Sequence, residues 1–301
     1  MGVWIDTDMG ADDLFAILLV MQHRHVDGIS LSFGNATLAQ VEKNAAGAAR
    51  SFDWQVPIWT GADRAIIGKV ETAERIHGVT GMRTRGANLP QITPDFAPAL
   101  PELCTWLERN DDCKILALGP LTNLATLALS RPDLLSQIGQ ITWMGGGLTS
   151  GNHTPSAEFN AFADPESLAI LLARNVPICM VDLDACRRVE INETDISDVR
   201  ASEHSQNELL ADILGGYLDI ALTRGRETMA LYDPVAAAAF VRPDLFEIGP
   251  AHIAIELDDS PCRGRTIVDT GNPDQANATI VTGLDSEKIR ALCLSALKES
   301  Q

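Results

Sequence analysis

The 301-residue sequence predicts an α/β fold, a mainly parallel Rossmann-like sheet flanked by helices with a small antiparallel addition near the C-terminus. Short apolar segments typical of strands alternate with helical segments of about ten residues or more, which is the pattern of βαβ units. Toward the C-terminus, short segments of alternating polarity indicate antiparallel strands instead. Because no linker, low-complexity break or internal repeat interrupts the chain, we interpret residues 1–301 as a single domain.

Strands and helices alternate through the first part of the chain. The predicted strands are residues 3–5, 28–33, 56–60, 113–118, 141–144 and 176–182. The predicted helices start at Leu14 and Leu121 and cover residues 37–49 and 99–109. In a parallel sheet the ligand lies beyond the carboxyl ends of the strands. Polar residues follow these ends at residues 6–13, at Asn35 and in the loops after Leu118 and Met144, so we expect the binding site there.

Two regions depart from this alternation. Residues 61–95 lack sustained periodicity, and a loop of that length is uncommon in a compact domain unless it serves a site. The C-terminal part predicts helices over 202–226, after Pro234 and over 284–298, and antiparallel strands over 252–257, 265–269 and 279–282.

Composition and charge restrict the partners of the protein. Hydrophobic residues make up 46% and charged residues 21% of the chain, which is ordinary for a globular protein in water. The formal net charge of −18 argues against a nucleic-acid backbone or an anionic membrane as partner. The charge is compatible with a neutral small molecule or a metal cation.

Targeting signals and cysteines indicate the compartment. The start of the chain shows no basic segment followed by an apolar one, and no apolar stretch reaches the roughly twenty residues that span a bilayer. The six cysteines form no CxxC pair, so we expect buried free thiols and neither a zinc site nor disulfides. These observations predict a cytoplasmic protein.

Four carboxylates lie close together after the first predicted strand, at Asp6, Asp8, Asp12 and Asp13. Acids at such a strand-to-helix turn repel one another unless a positive charge lies among them. Helix capping accounts for one of these acids, or at most two. The cluster therefore predicts a bound cation, or a site that stabilises a cationic transition state.

Other sites rich in aspartate or glycine fit less well. A phosphatase of the haloacid dehalogenase type also places DxD after its first strand, but this interpretation leaves Asp12 and Asp13 without a role. Such a phosphatase also needs a downstream lysine at the end of a strand, and no lysine directly follows the strands that end at Leu118 and Met144. An EF-hand fails because residues 14–21 are apolar. The P-loop pattern and the GxSxG elbow of serine hydrolases are both missing.

The acid cluster resembles a known signature. Asp6-Thr-Asp8-Met-Gly10-Ala-Asp12-Asp13 is similar to the DxDxGxDD motif of the inosine–uridine-type nucleoside hydrolases. Further motifs follow in the order and near the spacing of that family: Gly34-Asn35-Ala-Thr, Ile76-His77-Gly78, Gly119-Pro-Leu-Thr-Asn123, Met144-Gly-Gly-Gly147, Ala157-Glu158-Phe159-Asn160 with Asp164-Pro165-Glu166, and Asp233-Pro234. The resemblance covers essentially the full length of the chain.

The resemblance implies one calcium ion at the floor of the site. By motif position its ligands are Asp8, both oxygens of Asp13, Asp233 and the backbone carbonyl of Leu118. Calcium suits such an all-oxygen set, and it would bind the ribose 2′- and 3′-hydroxyls and acidify the attacking water. Asp8 matches the general base of the family, and we expect Asp6 to lie behind the ligands.

The resemblance also implies a set of residues around the sugar. Asp12, Asn35 and Asn160 match groups that hydrogen-bond the secondary hydroxyls. Asn152 and Glu158 match the pair around the 5′-hydroxyl, and Met144 matches an apolar residue beside the ribose. Taken singly, the asparagines and Glu158 could equally be turn or helix-entry residues.

The sequence departs from the family at the residues that would contact the nucleobase. Many members have histidine where this chain has Tyr232, and that histidine is a candidate acid for the departing base. Tyrosine, with a reference pKa of about 10, is a poor proton donor near neutrality unless its pKa is perturbed. Tyr232 therefore protonates the departing base, stacks on it or only lines the pocket. His77 either contacts the base or the 5′ side or holds its own loop, and Arg224 faces the same region.

The resemblance implies calcium-dependent hydrolysis of the N-glycosidic bond of ribonucleosides to ribose and free nucleobase. Such a reaction passes through an oxocarbenium-like transition state, which a ring of carboxylates stabilises. A non-catalytic ribose- or nucleoside-binding protein is the alternative, followed by the phosphohydrolase. Members of the family are usually homodimers or homotetramers, which implies a homo-oligomer here as well.

Overall fold

The computed structural model describes residues 2–299 of the chain. Its strands are β1 (Val3–Thr7), β2 (Val26–Leu31), β3 (Ile58–Trp59), β4 (Cys113–Ala117), β5 (Ile138–Met144), β6 (Ile178–Val181), β7 (Glu190–Ile191), β8 (Met229–Ala230), β9 (Phe246–Ile255), β10 (Thr266–Asp269) and β11 (Ala278–Leu284). A nine-stranded sheet has the order β10-β9-β11-β6-β5-β4-β1-β2-β3, and β7 pairs with β8 separately. From β3 across to β11 all pairings are parallel, whereas β9 is antiparallel to both β11 and β10. The predicted fold class is confirmed.

Helices cover both faces of this sheet. They are α1 (Ala11–His23), α2 (Leu38–Ser51), α3 (Glu74–His77), α4 (Ala99–Arg109), α5 (Thr122–Ser130), α6 (Phe159–Ala163), α7 (Pro165–Ala173), α8 (Leu183–Cys186), α9 (Glu193–Arg200), α10 (Asn207–Leu222), α11 (Asp233–Val241) and α12 (Ser286–Lys298). Short 3₁₀ helices lie at Pro132–Gln137, Pro243–Leu245 and Pro273–Gln275.

Strand β1 lies between β4 and β2 and is buried along its whole length. Successive side chains of a strand point to opposite faces. Val3 and Ile5 pack into the core that also contains α1, α10, α11 and α12, whereas Trp4 packs into the core formed with α4, α5 and α7. Because both faces are covered, β1 is apolar until it reaches its carboxyl end, where the polar residues begin.

Helix α1 begins earlier than the sequence predicted, at Ala11 instead of Leu14. Asp12 and Asp13 therefore lie in its first turn, where carboxylates interact favourably with the helix dipole. Asp13 also accepts the backbone N–H of Gly10 at 2.8 Å. The helix starts where its first N–H groups find an acceptor, three residues before the apolar run that marked the predicted start.

Several other boundaries differ. The helix predicted over 202–226 is α10, which starts only at Asn207 because His204 Nδ1 accepts the Gln206 N–H in a preceding turn. Strand β9 starts at Phe246, before the predicted residue 252. Helices α7, α8 and α9 were not predicted, although Asp164 and Pro165 are a recognisable start of α7. Strand β11 joins the antiparallel strands to the parallel sheet through β6.

Within residues 2–299, no helix combines the length and the apolar character needed to cross a membrane. All six cysteines are free thiols; Cys262 is exposed and the others are buried.

Candidate active site

A cleft that is open to solvent lies at the carboxyl ends of β1, β2, β4 and β5. Nearly every residue singled out in the sequence lines it: Asp8, Asp12, Asn35, His77, Leu118, Met144, Asn152, Glu158, Asn160, Arg224, Tyr232 and Asp233. Asp13 lies beneath the floor and is fully buried. Asp8 and Asp233 lie more than two hundred positions apart and are brought together because α11, which begins at Asp233, packs beside α1.

Several lining residues were missed: Ala73, Ile76, His153, Phe159, Ile220 and Met229. Most are apolar, and an apolar residue in a cleft wall carries no sequence signal that distinguishes it from a core residue. Ile76 and Phe159 belong to motifs in which only their polar neighbours attracted attention. His153 is half-buried, with its ring centroid 4.4 Å from that of Phe162.

The floor of the cleft is a buried acid cluster made of Asp8, Asp12, Asp13 and Asp233, none more than 5% exposed. Carboxylate oxygens of Asp12, Asp13 and Asp233 lie within 4.8 Å of one another. Burial raises the pKa of each of the four, and the charge of neighbouring aspartates raises the pKa of Asp8 and Asp233 further. The pKa of Asp12 is raised to about 7. The cluster is costly to ionise unless a cation shares the site.

The donor atoms at this floor fit a hard cation. Asp8 Oδ2 accepts the Asn35 backbone N–H at 2.6 Å, but Asp8 Oδ1 is buried without a hydrogen-bond partner among residues 2–299. Buried polar atoms in native proteins are nearly always satisfied, so this oxygen is available to a ligand. Carboxylates together with the Leu118 carbonyl form an all-oxygen set of the kind that calcium prefers.

The three closest carboxylates, those of Asp12, Asp13 and Asp233, are called the compact triad below. The carboxylates predicted to bind calcium differ from this triad in one member. The sequence predicted Asp8 with Asp13 and Asp233, whereas the closest carboxylates are those of Asp12, Asp13 and Asp233. Asp13 is held from both sides, since Oδ1 accepts the Thr7 hydroxyl and Oδ2 accepts the Gly10 N–H. Asp8 approaches the triad from the end of β1.

Two glycines allow neighbouring strands to approach Asp8. A Cβ on Gly34, after β2, would lie 2.0 Å from Asp8 Oδ2, and one on Gly119, after β4, would lie 3.1 Å from Asp8 Oδ1. Any side chain at Gly34 would displace the carboxylate. This explains physically why both motifs contain glycine.

Asp6 lies away from the cleft, on the opposite face of β1 from Thr7. Its Oδ1 accepts the Ser30 hydroxyl and the Asn123 side-chain N–H, the latter at 2.7 Å. Burial raises the pKa of Asp6 to about 6. Asp6 therefore ties β1 to β2 and to α5, and does not line the cleft.

Glu158 and Asn160 form one side of the cleft at the start of α6. The Glu158 carboxylate caps this helix, with Oε1 accepting the Asn160 N–H at 2.8 Å and Oε2 accepting the Ala161 and Gly146 N–H groups at 2.9 Å. Burial raises the pKa of Glu158 to about 7. Asn160 Nδ2 donates to the Leu118 and Met144 carbonyls, so its side-chain oxygen is left to accept from a ligand.

The sequence predicted His77, Arg224 and Tyr232 as substrate-binding residues, with His77 on either the base or the 5′ side, and all three line the cleft. His77 ends α3, in the long loop, and is half-buried. Burial and the positive charges of Arg83 and Arg224 lower the pKa of His77 to about 4. Burial raises the pKa of the Tyr232 hydroxyl above its usual range.

We expect His77 to stay neutral from about pH 5 upward, because its pKa is lowered to about 4 from the ordinary 6.5. In a pH titration followed by NMR, its ring resonance should move below pH 5 and stay constant between pH 6 and 8. The resonance is assigned by its loss in His77→Gln. A midpoint at pH 6 or above would contradict the arrangement of Arg83 and Arg224 around this ring.

Comparison with known proteins agrees with the motifs. The family model described as inosine-uridine preferring nucleoside hydrolase matches residues 3–291. The pyrimidine-specific ribonucleoside hydrolase RihA of Escherichia coli O81 (strain ED1a) is 31% identical over 306 residues, covering 98% of each chain. The protein of the same name from Shewanella sp. (strain MR-7) is 30% identical, covering 97% of this chain and 95% of its own.

Solved structures show the same fold. The plant nucleoside hydrolase PpNRh1 and the purine-preferring ribonucleoside hydrolase from Gardnerella vaginalis each have a TM-score of 0.89 and 25% identity, over 99% of this chain and 98% of theirs. The resemblance inferred from the motifs is confirmed. The chain belongs to the inosine-uridine preferring nucleoside hydrolase family, whose members hydrolyse N-glycosyl bonds of ribonucleosides.

Proposed function

We propose that this protein is a calcium-dependent ribonucleoside N-ribohydrolase, which converts a ribonucleoside and water to ribose and a free nucleobase. The observation that carries the proposal is the buried Oδ1 of Asp8, which has no hydrogen-bond partner within residues 2–299, beside the triad of Asp12, Asp13 and Asp233. An acid floor with an open acceptor atom suits both a cation and a sugar that becomes positively charged.

Asp8, Asp13, Asp233 and the Leu118 carbonyl would hold the calcium ion. When bound, the ion would supply a site for the ribose 2′- and 3′-hydroxyls and lower the pKa of a bound water. Asp12 belongs to the compact triad and lines the cleft, so it would stand next to both the ion and the sugar. The Tyr217 hydroxyl, 3.1 Å from Asp12 Oδ2, holds this carboxylate in place.

In the chemical step, Asp8 acts on the attacking water and the other groups of the cleft act on the ribose. Asp8 accepts the proton of the attacking water through Oδ1, while its Oδ2 stays fixed by the Asn35 N–H. The base leaves with the electron pair of the N-glycosidic bond and takes up a proton from solvent, and its departure leaves positive charge on the ribose ring, which the carboxylates stabilise. The side-chain oxygen of Asn160 accepts a hydrogen bond from a secondary hydroxyl of the ribose, and Met144 packs against the sugar.

The 5′-hydroxyl would lie against Glu158 and Asn152. The three backbone N–H groups that Glu158 accepts orient its carboxylate and leave lone pairs for one further donor. Asn152 Oδ1 accepts the Phe159 N–H at 2.9 Å, which leaves its amide hydrogens for the substrate.

The base would contact Tyr232, His77 and Arg224. The relatives are described as pyrimidine-specific in one case and purine-preferring in another, so membership of the family implies neither preference. A neutral His77 can donate one hydrogen bond and accept another, which suits the edge of a nucleobase. The Tyr232 ring offers a flat apolar surface to its face.

A panel of nucleosides tests the function. With calcium present, reducing sugar should be released from at least one ribonucleoside, and kcat/KM for its 2′-deoxy analogue should be lower by about 10³-fold or more, because buried hydroxyl partners would be left unpaired. No release from any purine or pyrimidine ribonucleoside would contradict the proposal. Phosphate release from phosphate esters with magnesium would instead support the haloacid dehalogenase-type alternative, which membership of the family does not favour.

We propose further that residues 1–301 form one domain. We also propose that the chain assembles as a homodimer or homotetramer and that the protein acts in the cytoplasm. The nine-stranded sheet runs through elements from both ends of the chain, which supports a single cooperative unit. Light scattering on the purified protein measures the subunit number, and a monomer would contradict the proposed assembly.

A further inference from the structure

The C-terminal strands contact the cleft wall that carries Glu158. Thr266, the first residue of β10, is only 4% exposed. Its hydroxyl donates to the Gly147 carbonyl oxygen at 2.8 Å and accepts the Gly147 N–H at 3.0 Å. A single side chain thereby satisfies both backbone polar groups of a residue in the loop after β5.

That loop leads directly to Glu158. Gly146 donates its N–H to Glu158 Oε2 at 2.9 Å, and its φ of +73° is a conformation that only glycine adopts without strain. Gly145 is held on the other side by its N–H bond to the Val181 carbonyl at 3.3 Å. Because Thr266 holds Gly147 and Val181 holds Gly145, the backbone is fixed on both sides of Gly146. The direction of the Gly146 N–H, which donates to Glu158, is therefore fixed as well.

Other contacts join the same C-terminal segment to α6 and α7. The Arg263 guanidinium lies 2.6 Å from Glu166 Oε1, and the Ser156 hydroxyl donates to the Pro261 carbonyl at 3.3 Å. Gly264 packs so closely that a Cβ there would lie 2.6 Å from Phe162 Cα. The segment from Pro261 to Thr266 therefore packs against the side of the cleft that contains Glu158 and stabilises it.

We propose that Thr266 is a positioning residue for the 5′-hydroxyl subsite, acting through Gly147 and the Gly146 N–H on the Glu158 carboxylate. This inference rests on the proposed contact between Glu158 and the 5′-hydroxyl. It makes the antiparallel strands part of substrate selection, although within residues 2–299 no residue of β9, β10 or β11 lines the cleft. A hydrogen-bonded neighbour that orients a binding group affects binding strongly without touching the substrate.

The test compares a ribonucleoside with its 5′-deoxy analogue. Thr266→Val keeps the shape of the side chain but removes both hydrogen bonds to Gly147. We expect the ratio of kcat/KM between the two substrates to fall by about tenfold in this variant, with the loss confined to the substrate that has the 5′-hydroxyl, since the binding energy lost belongs to that hydroxyl. Thr266→Ser, which keeps the hydroxyl, should retain the wild-type ratio within about twofold.

A matched control is Thr282→Val on the neighbouring strand β11, where the exposed hydroxyl donates to the Glu247 carbonyl at 3.2 Å. It should leave the ratio unchanged. Equal losses with both substrates in Thr266→Val, or no loss, would overturn the positioning role. If the wild type itself does not discriminate between the substrates, the proposed contact of Glu158 fails, and this inference with it. Should Thr266→Val not fold, Thr266→Cys is measured in the same way, because its thiol is a much weaker hydrogen-bonding group.

Discussion

Asp8→Asn is expected to lower kcat by about 10³-fold or more while the protein stays folded, because an amide cannot accept the proton of the attacking water. Asparagine retains an oxygen that can accept the Asn35 N–H, now bonded to Asp8 Oδ2 at 2.6 Å. The substitution also removes one charge from a cluster whose carboxylates repel one another, so we expect no loss of stability when calcium is absent. The measurements are ribose release under saturating substrate and thermal unfolding by circular dichroism.

The control for this charge change is Asp274→Asn, at an exposed position that does not line the cleft. It removes the same charge and should leave kcat within about twofold, as surface substitutions usually do. If Asp8→Asn keeps activity within about tenfold of the wild type, Asp8 is not the general base, since positioned proton transfer is worth more than that. Another group on the cleft floor would then have to take the proton.

Removal of calcium is expected to abolish turnover and to lower the melting temperature. The four carboxylates are buried together, and within the described part of the chain no lysine or arginine lines the floor of the cleft beside them. Calcium at about 100 times its dissociation constant would stabilise the folded state by about 2.7 kcal/mol. The experiment follows ribose release and thermal unfolding with a chelator, and again after calcium is restored.

Magnesium at the same concentration is the matched control. It demands a smaller, near-octahedral site and gives up its water reluctantly, so it should restore much less activity than calcium. Asp233→Asn should weaken the response of the melting temperature to calcium, because a proposed ligand is lost. Full turnover in the chelator, with an unchanged melting temperature, would contradict a metal site at this floor.

Local sequence predicted Asp8, Asp12 and Asp13 of the acid cluster well because these three residues are close in the chain. Asp8 and Asp13 lie on either side of a strand-to-helix turn, and any fold that places a parallel strand before that helix brings them to the sheet edge. Even so, the start of α1 was misplaced by three residues, because hydrophobic periodicity marks the buried face of a helix and not the first N–H that is capped.

Residues distant in sequence entered the prediction only through the family motifs. Asp233 is an ordinary acid before a proline, and nothing in its own neighbourhood relates it to Asp8. Tyr217 carries no local signal either: it lies within a buried helix and reaches Asp12 only after α10 has packed beside α1. Thr266 could not be found for the same reason, since its partner Gly147 is 119 positions away.

The sequence by itself determined the alternation of strands and helices, the edge of the sheet that carries the site, and the three floor acids Asp8, Asp12 and Asp13. These follow from short-range periodicity, from glycine at turns and from charge clustering, which are properties of neighbouring residues. The tertiary structure decided which acids form the compact triad, which lining residues are apolar, and that the antiparallel strands hold the Glu158 wall. Those features depend on distances between side chains brought together by packing, and a linear pattern contains no such distances.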